Sequence, residues 1–292
     1  MTPSHGRSTA NVLNVRVDAI DMQRALQGVR QMLDSEQKGY ICVAGVHGIM
    51  EAQRSKDLAS TYGSAEMTIP DGMPLVWVGH AQGHKQMQRV TGPDFMRELF
   101  TQPEFATITH YLYGGETGVV ELLRAALLRH SPHARIVGMR TPPFRDLTAT
   151  ECTDFIDEIR QLRPDIIWVG ISCPKQELFM RNYLPLLDTK IMIGVGAAFD
   201  YHTGRIRDSA EWVKRAGLQW LHRLVQDPKR LWRRYLLNNP PFVFCVLRQL
   251  LLERLHIAPG QPVSSSTLSE FETPLRTAPD PQKDSVNHTA VA

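Results

Sequence analysis

Residues 166–171 have the sequence Ile166-Ile167-Trp168-Val169-Gly170-Ile171, an apolar run that no polar residue interrupts. A strand that helices cover on both faces has such a run, whereas a strand with one face in water alternates apolar and polar residues. Other short runs are residues 40–46, 67–69, 108–113, 135–137 and 191–195, and helix-like stretches such as 118–130 and 150–162 lie between them. This alternation predicts an α/β fold, a wound Rossmann-like sheet with helices on both faces.

The chain changes in character after residue 200. Residues 205–234 hold nine Lys or Arg against three Asp or Glu, with three tryptophans among them. A basic helix with Trp and Leu on its opposite side is typical of a membrane interface. Pro228 should divide the segment into two helices. We expect an α/β domain over residues 1–200, a basic amphipathic helical membrane-docking appendage over 201–257, and a disordered tail rich in Pro, Ser and Thr over 258–292.

Composition limits the class of protein further. The chain is 42% hydrophobic and 22% charged, which is ordinary for a globular protein, and its net charge of +3 gives no reason to expect a nucleic-acid partner. The four cysteines have no pairing or metal-ligand spacing, and residues 1–14 lack the apolar core of a signal peptide, which favours the cytoplasm. No stretch reaches the ~18 apolar residues of a transmembrane helix, although residues 242–257 could lie on a membrane.

Asp71 is the first candidate for chemistry. It follows a short strand and precedes an apolar helix over residues 73–78. A carboxylate held at a strand end can act as a general base. An Asp-Gly turn in which Asp71 caps the helix explains the same residues. The sequence alone leaves both roles open.

Two other strand ends carry glycines or long polar side chains, and ligands of wound sheets bind at such ends. Gly114 and Gly115 would let backbone N–H groups approach a phosphate, although a tight turn explains them as well. The segment Lys175-Gln176-Glu177 can hold hydroxyls or phosphate, or can form a solvated first helical turn.

Asp200, Arg89 and His47 each fit a ligand role and a structural role. Asp200 follows the small residues 196–198, and its carboxylate can accept hydrogen bonds from ribose hydroxyls or cap a helix. Arg89 precedes a tight turn, and a guanidinium suits bidentate phosphate recognition. His47 has no metal-spaced partner. Because no Asp-x-Asp element occurs in the chain, we expect no metal and assign diphosphate binding to arginines and backbone amides.

The joint order of these elements resembles the WecB/TagA/CpsF glycosyltransferases, which form glycosyltransferase family 26. The matching motifs are Asp71-Gly72-Met73-Pro74-Leu75-Val76-Trp77, Arg89-Val90-Thr91-Gly92-Pro93-Asp94, Tyr113-Gly114-Gly115, Pro164-Asp165, Pro174-Lys175-Gln176-Glu177, Gly194-Val195-Gly196-Ala197-Ala198-Phe199-Asp200, Arg223-Leu224 and Asp227-Pro228-Lys229-Arg230-Leu231-Trp232-Arg233-Arg234-Tyr235. The resemblance runs from Asn11 to Pro241 and leaves only the tail unmatched.

The resemblance implies an inverting glycosyltransferase that needs no cofactor and moves a hexosyl or N-acetylhexosaminyl unit from a UDP-sugar to a polyprenyl-diphosphate-linked glycan. It places the catalytic base on Asp71, with Gln176 and Arg89 beside it. The nucleotide-sugar residues that it implies are Gly114, Gly115, Lys175, Glu177, Asp200 and His47. Those for the diphosphate or an anionic membrane surface are Arg223, Arg230, Arg233 and Arg234. The expected location is peripheral, on the cytoplasmic face of the plasma membrane.

Two departures from the family pattern bear on the donor and the acceptor. Many members have Thr-x-Asn where this chain has Val43-Ala44-Gly45, and Gly-Tyr-Phe where it has Pro142-Pro143-Phe144-Arg145. Both departures resemble the exopolysaccharide branch, and His47 is the residue available to replace the missing polar contacts.

Two other classes stay open. One is an NAD-binding nucleotide-sugar oxidoreductase or epimerase, against which the missing Gly-x-Gly-x-x-Gly motif counts. The other is a non-catalytic, nucleotide-responsive membrane adaptor, which would not need Asp71.

Overall fold

The structure is a computed structural model that describes residues 7–35 and 37–255. Its strands are β1 (Thr9–Val12), β2 (Val15–Asp18), β3 (Gly39–Ala44), β4 (Met67–Pro70), β5 (Thr109–Gly114), β6 (Arg135–Arg140), β7 (Ile166–Gly170) and β8 (Ile191–Gly194). The helices of the sheet domain are α1 (Met22–Asp34), α2 (Val46–Arg54), α3 (Lys56–Ser64), α4 (Met73–Ala81), α5 (Gly92–Thr101), α6 (Val119–His130), α7 (Ala149–Leu162), α8 (Lys175–Tyr183) and α9 (Ala198–His202). Three more follow: α10 (Glu211–Arg215), α11 (Gln219–Gln226) and α12 (Pro228–Arg254).

The main sheet has six strands in the order β4-β3-β8-β7-β5-β6, and every neighbouring pair is parallel. From β3 the chain moves outward to β4, whereas β5 to β8 build the other half of the sheet and close beside β3. In wound sheets a crevice forms where the strand order reverses, outside the carboxyl ends. Here that crevice lies at the carboxyl ends of β3 and β8.

Both faces of the sheet are covered, as the apolar run of residues 166–171 predicts. Side chains of a strand alternate between faces. Ile166 and Trp168 pack with α1, α5, α6 and α9, whereas Ile167 and Val169 pack with α2, α3, α7 and α8. The six predicted strands are all present, and the largest difference in their bounds is that β6 continues to Arg140. The predicted wound α/β sheet is therefore confirmed.

The hairpin of β1 and β2 was not predicted. Leu13 and Asn14 connect the strands with φ angles of 51° and 64°, left-handed values that suit a two-residue hairpin turn. Asp18, at the end of β2, accepts a hydrogen bond from the Thr68 backbone N–H at 2.7 Å. The hairpin therefore covers the edge strand β4, which would otherwise present unpaired backbone groups.

The basic segment folds back over the sheet domain as α10, α11 and α12. The predicted break at Pro228 is confirmed, since α11 ends at Gln226 and α12 begins at Pro228. The segment forms three helices rather than the predicted two, because α10 and α11 are already separate before Pro228. The helix α12 then runs without interruption through Pro240 and Pro241. Pro241 has no N–H for the Leu237 carbonyl, which instead accepts from Arg54 Nη2 at 3.0 Å.

Four residues of α12 are buried: Leu231, Asn238, Phe242 and Val246. Within residues 7–35 and 37–255, no helix combines the length and the apolar character needed to cross a membrane. The tail predicted for residues 258–292 lies outside the described residues.

Candidate active site

The loops that follow five neighbouring strands meet at the carboxyl edge of the sheet. In the spatial order of β4, β3, β8, β7 and β5, the strand ends and the first turns of the helices that follow them bring Asp71, His47, Asp200, Gln176 and Gly114 to one edge. Five of the sequence-predicted positions, far apart in the chain, are therefore brought to one side of the molecule. The appendage helices α10 to α12 follow directly from β8 through α9 and cover part of this edge.

Asp71 does not cap the helix that follows it. The N-cap of α4 is Gly72, and no side chain caps that helix. The Asp71 backbone N–H donates to the Ala44 carbonyl at 2.9 Å, which fixes the residue against the end of β3. Its Oδ2 lies 4.0 Å from the point where a Cβ on Gly45 would stand. The helix-cap alternative is wrong, and the carboxylate lies beside the start of α2.

The surroundings of Asp71 suit a group that must accept a proton. Burial raises the pKa of this carboxyl above its usual value, and the guanidinium groups of Arg89 and Arg223 act in the opposite direction. A hydrogen bond from the Gly92 backbone also lowers this pKa, whereas the charge of Asp94 raises it. A raised pKa makes a carboxylate a stronger base, and the two cations keep an ionised form accessible.

Arg89 is held by residues that the sequence did not single out. Its Nη1 donates to Gln219 Oε1 at 2.6 Å, and Gln219 Nε2 in turn donates to the Tyr201 hydroxyl at 3.4 Å. The Arg223 guanidinium lies over the Tyr201 ring, 5.6 Å from its centroid. Two arginines near Asp71 are therefore oriented by one tyrosine and one appendage glutamine. No local motif marks Gln219, because its partner lies 130 positions away.

Gln176 lies at the ends of β7 and β8. Its side chain is buried, and its Oε1 accepts a hydrogen bond from the Gly196 backbone N–H at 3.0 Å. Glu177, beside it, has no exposed surface. Lys175, the first residue of α8, is exposed. Of the three residues of this predicted motif, Lys175 is therefore exposed, whereas Gln176 and Glu177 are buried.

The two predicted glycines serve a tight strand end. Gly114 has a φ of +143°, and a Cβ there would stand 2.5 Å from the Gly170 carbonyl oxygen. The Gly115 N–H donates to that same oxygen at 3.1 Å. The turn alternative therefore accounts for both residues, and contact with a phosphate remains a prediction.

A basic cleft lies between this turn and the appendage. Its volume is about 730 Å³, which is within the range of small-molecule sites. Its charged lining residues are the basic Arg205, Arg207, Arg223, Lys229 and Arg230 and the acidic Glu116, Asp200 and Asp227. Because cations outnumber carboxylates, the cleft suits a ligand with several negative charges. Arg223 belongs to this lining and also acts on Asp71, so the cleft adjoins the candidate base.

Asp200 and Arg230 both line this cleft, and each forms an ion pair with another residue of the lining. Asp200 is inside the first turn of α9, whose N-cap is Ala197, so it does not cap that helix. Its Oδ1 lies 3.5 Å from Arg205 Nε. Arg230 Nε lies 2.7 Å from Asp227 Oδ2.

Arg233 and Arg234 point to different surroundings. The Arg233 guanidinium lies over the Trp232 ring at 5.9 Å, and both residues are exposed. Arg234 faces inward, and its buried Nε has no hydrogen-bond partner among the described residues. The four arginines predicted as one set therefore divide into cleft residues, an outward residue and an inward one.

His47 connects the sheet domain to α12. Its Nδ1 is 3.2 Å from Asn238 Nδ2, and Asn238 Oδ1 accepts from Arg54 Nη1 at 2.8 Å. Burial, together with the charges of Arg234 and Arg54, lowers the pKa of His47 to about 4, although a contact with the Cys173 backbone opposes this. The ring is therefore neutral, and its Nδ1 accepts a hydrogen bond from Asn238 Nδ2. This arrangement favours the structural role, and a sugar contact remains a prediction.

Within the described ranges, no group of three or more His, Cys, Asp or Glu side chains is arranged as a metal site.

A parallel α/β sheet with a carboxylate, two arginines and a basic cleft at one crevice fits a transferase acting on a phosphorylated substrate. The family model described as "Glycosyl transferase WecG/TagA/CpsF family" matches residues 10–256, and the chain belongs to this family of glycosyltransferases. The resemblance noted from the motifs is thereby confirmed, although no finding singles out the exopolysaccharide branch.

Two curated relatives carry the name N-acetylglucosaminyldiphosphoundecaprenol N-acetyl-beta-D-mannosaminyltransferase. The protein of Bacillus subtilis (strain 168) is 26% identical over 198 residues, which are 68% of this chain and 75% of the relative. The protein of Bacillus spizizenii is 26% identical over 216 residues, 74% of this chain and 81% of the relative.

Proposed function

We propose that this chain transfers a hexosyl or N-acetylhexosaminyl unit from a UDP-sugar to a polyprenyl-diphosphate-linked glycan, with inversion at the anomeric carbon. The observation that carries the proposal is the available Asp71 carboxylate, with a raised pKa, next to Arg89 and to a cleft rich in cations. The names of the two relatives describe transfer to a diphosphoundecaprenol-linked sugar, which supports the class of acceptor.

The reaction is a single displacement. Asp71 accepts the proton of the acceptor hydroxyl as that oxygen forms a bond to the anomeric carbon of the donor. The bond from that carbon to the diphosphate breaks at the same time, and its electron pair leaves with UDP. Arg223, Arg230 and Arg205 in the basic cleft stabilise the charge that develops on the diphosphate. The proposed step uses protein cations in this role and includes no metal ion.

The donor sugar is the least constrained part of the proposal. Both relatives are named for N-acetylmannosaminyl transfer. This chain has Val43-Ala44-Gly45 at the end of β3, without the hydroxyl and amide of the Thr-x-Asn pattern. Gly45 and His47 start α2 beside Asp71, so a sugar bound there would meet less polar surface. This difference favours a glucosyl or related hexosyl donor within the proposed hexosyl or N-acetylhexosaminyl class, in exopolysaccharide or other cell-surface polysaccharide synthesis.

The appendage is proposed to dock on the cytoplasmic face of an anionic membrane. Its last helix exposes large apolar side chains, among them Trp232, Phe244, Leu247 and Leu251. Arg233 and Lys229 are exposed on the same helix. A basic residue near an anionic surface contributes about 1 kcal/mol, and apolar side chains add burial in the interface. A lipid-linked acceptor would then meet the crevice at the membrane surface.

A panel of UDP-sugars with a lipid-linked acceptor, read by mass spectrometry, tests the proposal. We expect one donor to add one hexosyl or N-acetylhexosaminyl mass to the acceptor and to release UDP. Binding of NAD without transfer would favour the oxidoreductase alternative. Binding of UDP-sugar and vesicles with no transfer from any donor would favour the membrane adaptor.

A further inference from the structure

Glu177 is a buried acid to which the proposed reaction gives no task. It belongs to the first turn of α8, and none of its surface is exposed. Its Oε1 accepts a hydrogen bond from Gln176 Nε2 at 2.9 Å. Its Oε2 has no hydrogen-bond partner among the residues that the structure describes. A carboxyl group in this state calls for an explanation, because an unpaired buried charge is costly.

The neighbours of this carboxyl supply little compensation for a negative charge. The groups that interact electrostatically with this carboxyl are Cys42 of β3, Tyr62 of α3, Cys173 of the loop after β7 and Arg234 of α12. Arg234 is the cation among these four, and its charge acts on Glu177 less than the contacts of Gln176 and Cys173 do. Burial raises the pKa of Glu177, more than the Gln176 and Cys173 contacts and the Arg234 charge lower it.

The Gln176 carboxamide is fixed from both ends. A peptide N–H can only donate, so the atom facing Gly196 must be the amide oxygen. The amide nitrogen therefore faces Glu177 Oε1 and gives it one of its two protons. A Cβ on Gly194 would stand 3.1 Å from Gln176 Nε2, so the side chain packs closely on that backbone. The second N–H of Gln176 is left for another acceptor.

We propose that Glu177 is a positioning residue: its Oε1 holds the Gln176 carboxamide so that the second N–H is presented to the bound sugars. This inference rests on the proposed function for its kinetic test. The neutral acid supplies a hydrogen-bond acceptor at Oε1 without placing an uncompensated charge behind the crevice. Glu177 itself does not touch the substrate.

The kinetic test compares four variants: Gln176→Ala, Glu177→Ala, Glu177→Gln and the double variant Gln176→Ala/Glu177→Ala. Loss of a neutral hydrogen bond changes a rate by about 2- to 12-fold. We expect Gln176→Ala and Glu177→Ala each to lower kcat/KM for transfer by a factor in this range. The double variant should lose no more than Gln176→Ala alone, since residues that act through one interaction are not additive. Glu177→Gln keeps a side-chain oxygen for Gln176 and should retain wild-type kcat/KM.

Three kinetic results would overturn the proposal. Additive losses in the double variant would mean that Glu177 acts independently of Gln176. A loss in a folded Glu177→Gln variant as large as in Glu177→Ala would mean that the acid itself is required. Wild-type kcat/KM in Gln176→Ala would mean that the Gln176 carboxamide does not contribute to transfer, so that Glu177 could not act by positioning it.

A stability test needs no substrate. In the folded protein Glu177 keeps its proton above the ordinary pKa of 4.5, whereas the unfolded chain releases it there. The folded state then binds more protons, so wild-type stability falls as pH rises from about 4.5 toward the raised pKa. Glu177→Gln lacks this contribution. We therefore expect the difference between the Tm of the variant and the Tm of the wild type to increase as the pH rises above 4.5. If the Tm of the wild type and the Tm of Glu177→Gln change in parallel with pH, Glu177 is not a neutral acid in the folded protein and the proposal is overturned. If the wild type transfers no sugar, this test still stands and only the proposed function fails.

Discussion

Replacing Asn238 by Ala should loosen α12 from the sheet domain. Asn238 is buried and connects α12 to α2 through two contacts, one with the charged Arg54 and one with the neutral ring of His47. A hydrogen bond to a charged group contributes about 1.5–3 kcal/mol and a neutral one about 0.5–1.5 kcal/mol. Their loss should cost about 2–4.5 kcal/mol of docking free energy. Ala favours a helix by up to ~0.7 kcal/mol, which offsets a small part of this cost.

Hydrogen exchange read by mass spectrometry measures this docking directly. A cost of about 1.4 kcal/mol corresponds to tenfold in the opening equilibrium. We expect amide protection in α12 around Phe242 to fall by at least tenfold in Asn238→Ala, whereas protection in β7 and β8 stays at the wild-type level. Transfer should also fall, because Arg223 and Gln219 reach the crevice from the same appendage.

Asn239→Ala is the matched control. Asn239 is the next residue of α12 and gains the same helix propensity on substitution. Its side chain forms no hydrogen bond among the described residues. Its exchange should match that of the wild type. Equal loss of protection in both variants, or no loss in Asn238→Ala, would refute the assignment of docking free energy to the Asn238 contacts.

Three further predictions concern charge. Asp71 must be ionised to act, so kcat/KM should rise with pH through its raised pKa. Arg89→Ala removes one of the two cations that lower this pKa and should move the acid limb of the pH profile to higher pH. An unmoved limb would count against Asp71. Transfer should survive excess EDTA, and its loss with recovery on added Mg²⁺ or Mn²⁺ would show that protein cations do not suffice. Binding to anionic vesicles should weaken as salt shortens the Debye length from about 10 Å at 0.1 M to about 3 Å at 1 M; salt-insensitive binding would refute electrostatic docking.

The sheet was predictable because its strands are continuous apolar runs. In β7, neighbouring residues such as Ile167 and Trp168 pack on opposite faces, and both faces need apolar side chains. The hairpin of β1 and β2 escaped prediction because each strand has four residues and no Gly or Pro marks its turn. The unbroken course of α12 through Pro240 and Pro241 also could not be predicted, since an Arg54 contact from another helix satisfies the carbonyl that Pro241 leaves free.

The candidate site was predictable where a motif marks a strand end, as at Asp71 and Gln176. The residues that hold the site residues in place were not predictable. Gln219, Tyr201 and Asn238 act through partners on other elements, and those partners depend on how the appendage folds back over the edge. The inward direction of Arg234 and the outward direction of Arg233 likewise follow from the rotation of α12, which composition does not specify.

Asp71→Asn is the most direct test of the central claim. The variant keeps the shape of the side chain and the backbone contact to Ala44, and it removes the ability to take a proton. With the donor that serves the wild type, turnover should fall by about 10²–10⁴-fold while the affinity for UDP stays nearly unchanged. Near wild-type turnover of a lipid-linked acceptor by this variant would contradict the assignment of Asp71 as the base.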